Sequence, residues 1–142
     1  MNLYLDTSAL VKLYVDEEGS PAVHGALQQA AVAATSTLAY VEARAALARR
    51  RREGGLAATE YRRAVRSLDA DWVHYQRVRV TDQLIHKAAE TAESFQLRAY
   101  DAVHLASAIT IAARLETPLV FACWDAGLEE AARRAGLQLL TR

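Results

Sequence analysis

The chain has 142 residues, 52% of them hydrophobic, and this length suits one globular domain, residues 1–142, better than two. Lysine plus arginine and aspartate plus glutamate both number 17, so the overall charge gives no indication of nucleic-acid binding. The single cysteine, Cys123, excludes an internal disulfide and a thiolate metal site. Because no secretory leader and no apolar run of roughly 20 residues is present, we expect a soluble cytoplasmic protein with no membrane contact.

The first third of the chain is predicted to contain a strand, two helices and a second strand. Residues 2–5 form an apolar run that stops at Asp6, and the following segment SALVKLYV has apolar residues at helical spacing. Ser20 is the predicted N-cap of the next helix, since Pro21 suits the first helical position. A second short strand is predicted near 32–35.

Two long helices are predicted in the middle of the chain. The alanine-rich run that follows Thr37 ends at Gly54-Gly55, because glycine commonly terminates helices. Its predicted buried stripe consists of Leu38, Val41, Ala45 and Leu47 or Ala48. The second helix is predicted from about Leu56 to Leu68.

The last part of the chain again alternates between strands and helices. Helix 100–115 is apolar on nearly every side, which predicts a buried central position. The other predicted elements are a strand at 78–80, a helix capped by Thr81 or Asp82, a strand at 119–122, a helix at 125–135 and a strand at 137–140. This alternation predicts an α/β fold, a three-layer sandwich around a central, mostly parallel sheet.

Four acidic residues are the candidate functional residues. Asp6 ends the first strand and Asp125 follows the strand 119–122, so both belong at the sheet edge where α/β proteins bind ligands. Asp101 lies in the first turn of the buried helix, and Glu42 lies mid-helix on a side expected to face the protein body.

A cluster of buried carboxylates needs a cation to offset mutual repulsion and desolvation. Carboxylate oxygens suit Mg²⁺ or Mn²⁺, and one or two such ions activate water for attack on a phosphodiester. Each acid also has a purely structural interpretation. Asp6 and Asp125 are possible helix caps, Asp101 a partner of the helix dipole, and Glu42 the partner of an arginine.

Positive charge is concentrated in one segment. Residues 44–66 contain eight arginines and two glutamates, a local net charge of +6, so the rest of the chain carries −6. This asymmetry predicts an anionic partner or substrate, with a solvated helix surface as the alternative.

Two further residues lie close to Asp101 in the sequence. His104 is expected to pack or to support the site rather than to bind metal, and Arg98 either steadies a phosphate or bridges an acid.

Four segments together resemble the PIN-domain ribonucleases, most closely the VapC-type toxins of toxin–antitoxin pairs. LYLDTSALVKLY resembles the first family motif, STLAYVEARAAL the second, LRAYDAVHLASA the third and FACWDAGLEEAARRAGL the last strand and helix. The matched acids are, in order, Asp6, Glu42, Asp101 and Asp125, and the resemblance covers essentially the whole chain.

The resemblance implies a PIN-like α/β/α fold and Mg²⁺- or Mn²⁺-dependent endonucleolytic cleavage of RNA, leaving a 5′-phosphate and a 3′-hydroxyl. It also implies a homodimer and a cognate antitoxin whose C-terminal segment blocks the acidic groove. The basic segment 44–66 would then bind RNA, the antitoxin or the second subunit.

One position departs from the family pattern. Cys123 stands where the family commonly has threonine or serine before Asp125, and a thiol is a weaker hydrogen-bond donor than a hydroxyl. Asp125 therefore either binds metal directly or orients a water or a second ion. The alternative functions are a non-catalytic PIN-fold module that binds a partner and a metal-dependent nuclease that acts on DNA.

Overall fold

Five short strands form one parallel sheet in the computed structural model, which describes all residues, 1–142. The strands are β1 (Asn2–Leu5), β2 (Val32–Ser36), β3 (Gln76–Val78), β4 (Leu119–Ala122) and β5 (Gln138–Leu139). Their order across the sheet is β3-β2-β1-β4-β5, and every neighbouring pair is parallel. The predicted α/β class with a central parallel sheet is confirmed.

Seven helices connect and cover the strands. They are α1 (Thr7–Val11), α2 (Ser20–Gln29), α3 (Leu38–Arg52), α4 (Ala58–Trp72), α5 (Asp82–Phe95), α6 (Ala99–Ala112) and α7 (Ala126–Arg134). None of them combines the length and the apolar character that crossing a membrane requires.

The alternation of side chains along β1 creates two cores, one on each face of the sheet. Leu3 and Leu5 pack with residues of α1 to α4 on one face. Tyr4 points to the opposite face, where it packs with residues of α6 and α7. A third, smaller cluster joins α5 to the outer side of α6. Helix α6 is therefore enclosed between the sheet and α5, which confirms its predicted buried position.

The predicted cap of α2 is wrong by one residue. Gly19 is the N-cap, with a φ of 91° that glycine adopts without strain. The Ser20 hydroxyl instead donates to the Val15 carbonyl (3.0 Å) and accepts from the Glu17 amide (3.0 Å). These two bonds close the loop before the helix and leave Ser20 in its first turn.

The predicted buried stripe of α3 is wrong for Val41 and Ala45, whereas Leu47 is buried and Leu38 is partly buried against the cluster between α5 and α6. The structure buries Ala39, Ala43 and Leu47, whereas Val41 is 60% exposed and Ala45 is exposed. Helix α3 packs against α1 and α4. Small alanine side chains allow such helices to approach closely, so hydrophobicity alone does not identify the buried side.

Several elements differ in extent from the prediction. Helix α1 ends at Val11 instead of continuing through the segment SALVKLYV, and β5 is confined to Gln138–Leu139. Strand β3 lies two residues earlier than predicted, because an exposed edge strand carries little hydrophobic signal. Helix α4 begins two residues later and ends at Trp72, and α6 ends at Ala112 rather than near 115.

Candidate functional site

The candidate site lies where the strand order reverses between β1 and β4. The Asp6 amide donates to the Ala122 carbonyl (3.1 Å), so the carboxyl ends of these two strands are directly joined. In open α/β sheets the crevice at such a reversal is the usual place for a ligand. Asp6 follows β1 immediately, and two residues separate Asp125 from β4.

Asp6 is 5% exposed and caps the N-terminus of α1. Its Oδ1 accepts hydrogen bonds from the Ala9 amide (2.9 Å) and the Ser8 hydroxyl (2.7 Å), which leaves Oδ2 available to a ligand. Burial raises the pKa of Asp6 to about 6, although the nearby His104 and both hydrogen bonds act in the opposite direction. The capping interpretation is thus confirmed, and it uses only one carboxylate oxygen.

Asp101 and Asp125 are connected through Arg98. The Arg98 guanidinium lies 3.2 Å from Asp101 Oδ2 and 3.5 Å from Asp125 Oδ2. Burial nevertheless raises the pKa of Asp101, because desolvation and repulsion by Asp125 outweigh the attraction of Arg98. Asp101 also raises the pKa of Asp6 electrostatically. The three aspartates therefore form one group of mutually repelling charges.

Glu42 joins this group through a buried histidine. His104 Nε2 lies 2.8 Å from Glu42 Oε1, and its Nδ1 lies 2.9 Å from the Tyr4 hydroxyl. The Thr7 hydroxyl donates to the same oxygen of Glu42 at 2.7 Å. Burial alone would raise the pKa of Glu42, but the bonds from His104 and Thr7 lower it. Glu42 consequently stays ionised.

Two sequence predictions concern this part of the site. The interpretation that pairs Glu42 with an arginine is wrong, since its partners are His104 and Thr7. The supporting role expected of His104 is confirmed, and the histidine is only 2% exposed. Sequence reasoning did not connect it with Glu42 or Tyr4, because those contacts span 62 and 100 residues of chain.

Asp125 is the most open of the four acids, with a side chain 42% exposed. Its Oδ1 accepts from the Leu128 amide (2.8 Å), so it caps α7 as its structural interpretation predicted. The Cys123 thiol makes its bond to the backbone carbonyl of Asp125 (3.6 Å), and burial raises the pKa of that thiol to about 12. Cys123 therefore gives the Asp125 carboxylate no support. Ser8 links the two loops instead, because its hydroxyl accepts from the Trp124 amide (2.9 Å).

The carboxylates of the four acids are suitable ligands for a divalent cation, but they do not form a complete coordination shell. No three of the histidine, cysteine, aspartate and glutamate side chains lie in an arrangement that holds a metal ion. Mg²⁺ commonly uses only one or two carboxylates and takes its other ligands from water and substrate phosphates. Asp6 and Asp101 meet that smaller requirement, since each has one oxygen without a protein partner and both carry charges that a cation would stabilise.

Comparison with known proteins agrees with this architecture. The PIN domain family model matches residues 3–118. The chain is 36% identical over 137 residues to the protein named Ribonuclease VapC45 of Mycobacterium tuberculosis (strain CDC 1551 / Oshkosh), covering 96% of this chain and 93% of the relative.

Solved structures share the fold at low sequence identity. FitAcB from Neisseria gonorrhoeae superposes with a TM-score of 0.70 and 15% identity, covering 98% of this chain and 96% of the other. A toxin-antitoxin complex from Klebsiella pneumoniae gives a TM-score of 0.58 and 16% identity, with 84% of each chain covered. The chain therefore belongs to the PIN-domain family and is a relative of the VapC ribonucleases.

Proposed function

We propose that this protein is a divalent-metal-dependent endoribonuclease, with Asp6, Glu42, Asp101 and Asp125 as its acidic site. The observation that carries the proposal is the group of three aspartates at the junction of β1 and β4. Burial raises the pKa of Asp6 and of Asp101, so the fold holds charges that only a bound cation would fully stabilise. The ribonuclease named among the relatives supports RNA as the substrate.

The residues of the acidic site have different proposed roles. Asp6 and Asp101 are the proposed metal ligands, each held through one oxygen by protein donors. Glu42, fixed by Thr7 and His104, accepts a proton or orients a water. Mg²⁺ or Mn²⁺, when bound, would supply the Lewis-acid chemistry that activates water against a phosphodiester. In-line attack of that water on phosphorus would break the bond to the 3′ oxygen and leave a 5′-phosphate and a 3′-hydroxyl.

Arg98 has a specific place in this scheme. Its side chain is 63% exposed and holds both Asp101 and Asp125, so it supplies the positive charge of the site in the absence of a cation. Such an exposed side chain reorients at little cost, because water screens the charge that it leaves. We propose that Arg98 would turn towards a substrate phosphate in the metal-bound protein, because Asp101, one of its two partners, would then be a metal ligand.

We further propose that the protein acts as a cytoplasmic toxin, works as a homodimer and is neutralised by a cognate antitoxin. The toxin-antitoxin complex from Klebsiella pneumoniae, which shares the fold, supports the antitoxin as a partner. The acidic site is open at Asp125 and Arg98, and a segment of another protein bound there would exclude RNA.

The test is cleavage of a cellular RNA pool by the purified protein with Mn²⁺ and with chelator. Wild type is expected to cleave only with metal, and Asp101→Asn is expected to lose activity by a factor of at least about 10². Asp16→Asn is the matched control, because Asp16 is exposed and lies outside the site. Cleavage by Asp101→Asn at the wild-type rate would remove the acidic site from the mechanism.

A non-catalytic, partner-binding role is the second candidate. It is favoured by the lack of three assembled metal ligands and by the Arg98 bridge, which gives the aspartates a protein partner. Calorimetric titration with Mn²⁺ separates the two. The nuclease binds the ion, and Asp6→Asn weakens this binding, whereas a purely structural acidic group produces no heat of binding in either protein.

A further inference from the structure

A second candidate binding site lies beside the edge strand β3, away from the acidic group. Strand β3, helix α5 and the C-terminal half of α6 enclose a pocket of about 540 Å³. We call it the basic pocket, and its polar lining includes Arg77, Arg79, Thr81, Lys87, Thr110 and Arg114. None of its eleven lining residues is acidic.

The positive charges of the basic pocket have no acidic partner within the chain. None of the four cations, Arg77, Arg79, Lys87 and Arg114, forms an ion pair. Three unpaired cations around one concave surface, Arg79, Lys87 and Arg114, produce a local positive potential, even though the whole chain has a net charge of zero.

One of these cations is held in place before any ligand binds. Lys87 Nζ donates to the Thr110 hydroxyl at 3.0 Å, which ties α5 to α6 across the pocket. Arg77 is directed differently, since its guanidinium carbon lies 5.7 Å from the centre of the Trp72 ring, which packs on the opposite face of the sheet. Lys87 therefore loses less conformational entropy than a free side chain when a ligand binds.

The basic pocket is linked to the acidic site by helix α6. Asp101 lies in the first turn of α6 and Thr110 in its last, a separation of about 14 Å along the helix axis at 1.5 Å per residue. The start of α3, the helix that carries Glu42, is also attached to this region. The Thr37 hydroxyl accepts from the Val80 amide at 3.3 Å, and the Thr37 amide donates to the Val78 carbonyl at 3.0 Å.

We propose that the basic pocket binds backbone phosphates of the RNA strand on one side of the bond that is cleaved. This inference rests on the proposed function and adds to it an accessory anchoring site for the substrate. Arginine and lysine bind phosphates without any apolar anchor. A docked peptide depends mainly on apolar anchors, and only three of the eleven lining residues are hydrophobic. The lining therefore favours a polynucleotide over an acidic peptide.

The test uses the double variant Arg79→Gln and Arg114→Gln, in which both altered residues are exposed and unpaired. The control is Arg133→Gln and Arg134→Gln, which removes the same charge from the exposed end of α7. Binding of a labelled single-stranded RNA, long enough to span both sites, is measured in chelator over a range of salt concentrations. Circular dichroism verifies that each variant is folded.

The pocket variant is expected to bind the RNA about 20-fold more weakly than the control near 0.1 M salt. The slope of log affinity against log salt is expected to fall by about 1.4, from two lost phosphate contacts at about 0.7 each. Equal slopes for the two variants would overturn the inference. The inference would also be overturned if polyglutamate bound as tightly as the RNA. The same holds if inorganic phosphate displaced the labelled RNA as effectively as unlabelled RNA containing the same total number of phosphates.

Cleavage assays with Mn²⁺ separate this inference from the proposed function. If wild type cleaves RNA and the slopes are equal, the inference of an accessory site is wrong and the proposed nuclease function is unaffected. If no variant cleaves RNA but the slopes differ as expected, the pocket binds polynucleotide and the nuclease proposal fails. A trinucleotide too short to reach the basic pocket is expected to be cleaved at the same rate by wild type and the pocket variant.

Discussion

Replacing Asp6 by asparagine is expected to stabilise the metal-free protein, although Asp6 belongs to the candidate site. Burial raises the pKa of Asp6 from 3.8 to about 6, so the folded chain disfavours the ionised carboxylate relative to the unfolded chain. At about 1.36 kcal/mol per pKa unit, ionised Asp6 lowers the free energy of unfolding by about 3 kcal/mol. Asparagine removes the charge, and its oxygen still accepts from Ala9 and Ser8.

The effect has a defined pH dependence. The fold favours the protonated form of Asp6, so the stabilisation from protonation is fully present below about pH 3.8 and is lost as the pH rises through about 6. The difference in unfolding free energy between Asp6→Asn and wild type is therefore about 3 kcal/mol near pH 8 and less than about 1 kcal/mol near pH 4. Near pH 8 it corresponds to a rise in Tm of about 6 to 12 °C.

Urea unfolding at several pH values, followed by tryptophan fluorescence in the presence of chelator, measures this difference. Asp16→Asn is the control, because Asp16 is exposed and its replacement leaves the buried group intact. If Asp6→Asn is no more stable than wild type near pH 8, or if the gain does not shrink with falling pH, burial does not destabilise the Asp6 carboxylate. The same outcome would remove the electrostatic argument for a cation at this position.

Three other perturbations test the support of the site. His104→Ala is expected to lower the free energy of unfolding by about 2 to 4 kcal/mol in urea, because a buried hydrogen-bonded network loses its centre. Gly19→Ala is expected to cost about 2 kcal/mol or more in thermal unfolding, since Gly19 has a φ of 91° and a Cβ there would lie 2.5 Å from the Trp124 ring. Its control, Gly25→Ala, has open space around the added carbon in a helix and is expected to be neutral or stabilising. Mn²⁺ at a hundred times its Kd is expected to stabilise wild type by about 2.7 kcal/mol and Asp101→Asn by less. Equal costs for the two glycine variants, an unchanged His104→Ala protein, or equal Mn²⁺ stabilisation would each contradict the corresponding argument.

Local patterns in the sequence were sufficient to predict the order and type of the helices and strands. Strands β1 and β4 are short apolar runs that end at polar residues, and both lie where the pattern predicted. The same patterns placed Asp6 and Asp125 at the ends of these strands, and their roles as helix caps follow from sequence position alone. Caps and strand ends are local features, since they involve residues within a few positions of one another.

Prediction failed where a pattern was weak or where several local solutions were equivalent. Strand β3 pairs through its backbone at an exposed edge, so its side chains carry little hydrophobic signal. Helix α3 contains many alanines and arginines, and several of its sides suit burial equally well. Packing against α1 and α4 selected the side with Ala39, Ala43 and Leu47, and left Val41 in solvent.

The amino-acid sequence by itself determined which acids are available and that they follow strands or begin helices in an α/β fold. Only the tertiary structure decided their partners. Glu42 meets His104 across 62 residues, and Arg98 meets Asp125 across 27, because the parallel sheet brings the ends of distant elements to one edge. Charge and burial at that edge, which set the pKa of Asp6, depend on these distant neighbours and are therefore properties of the folded chain.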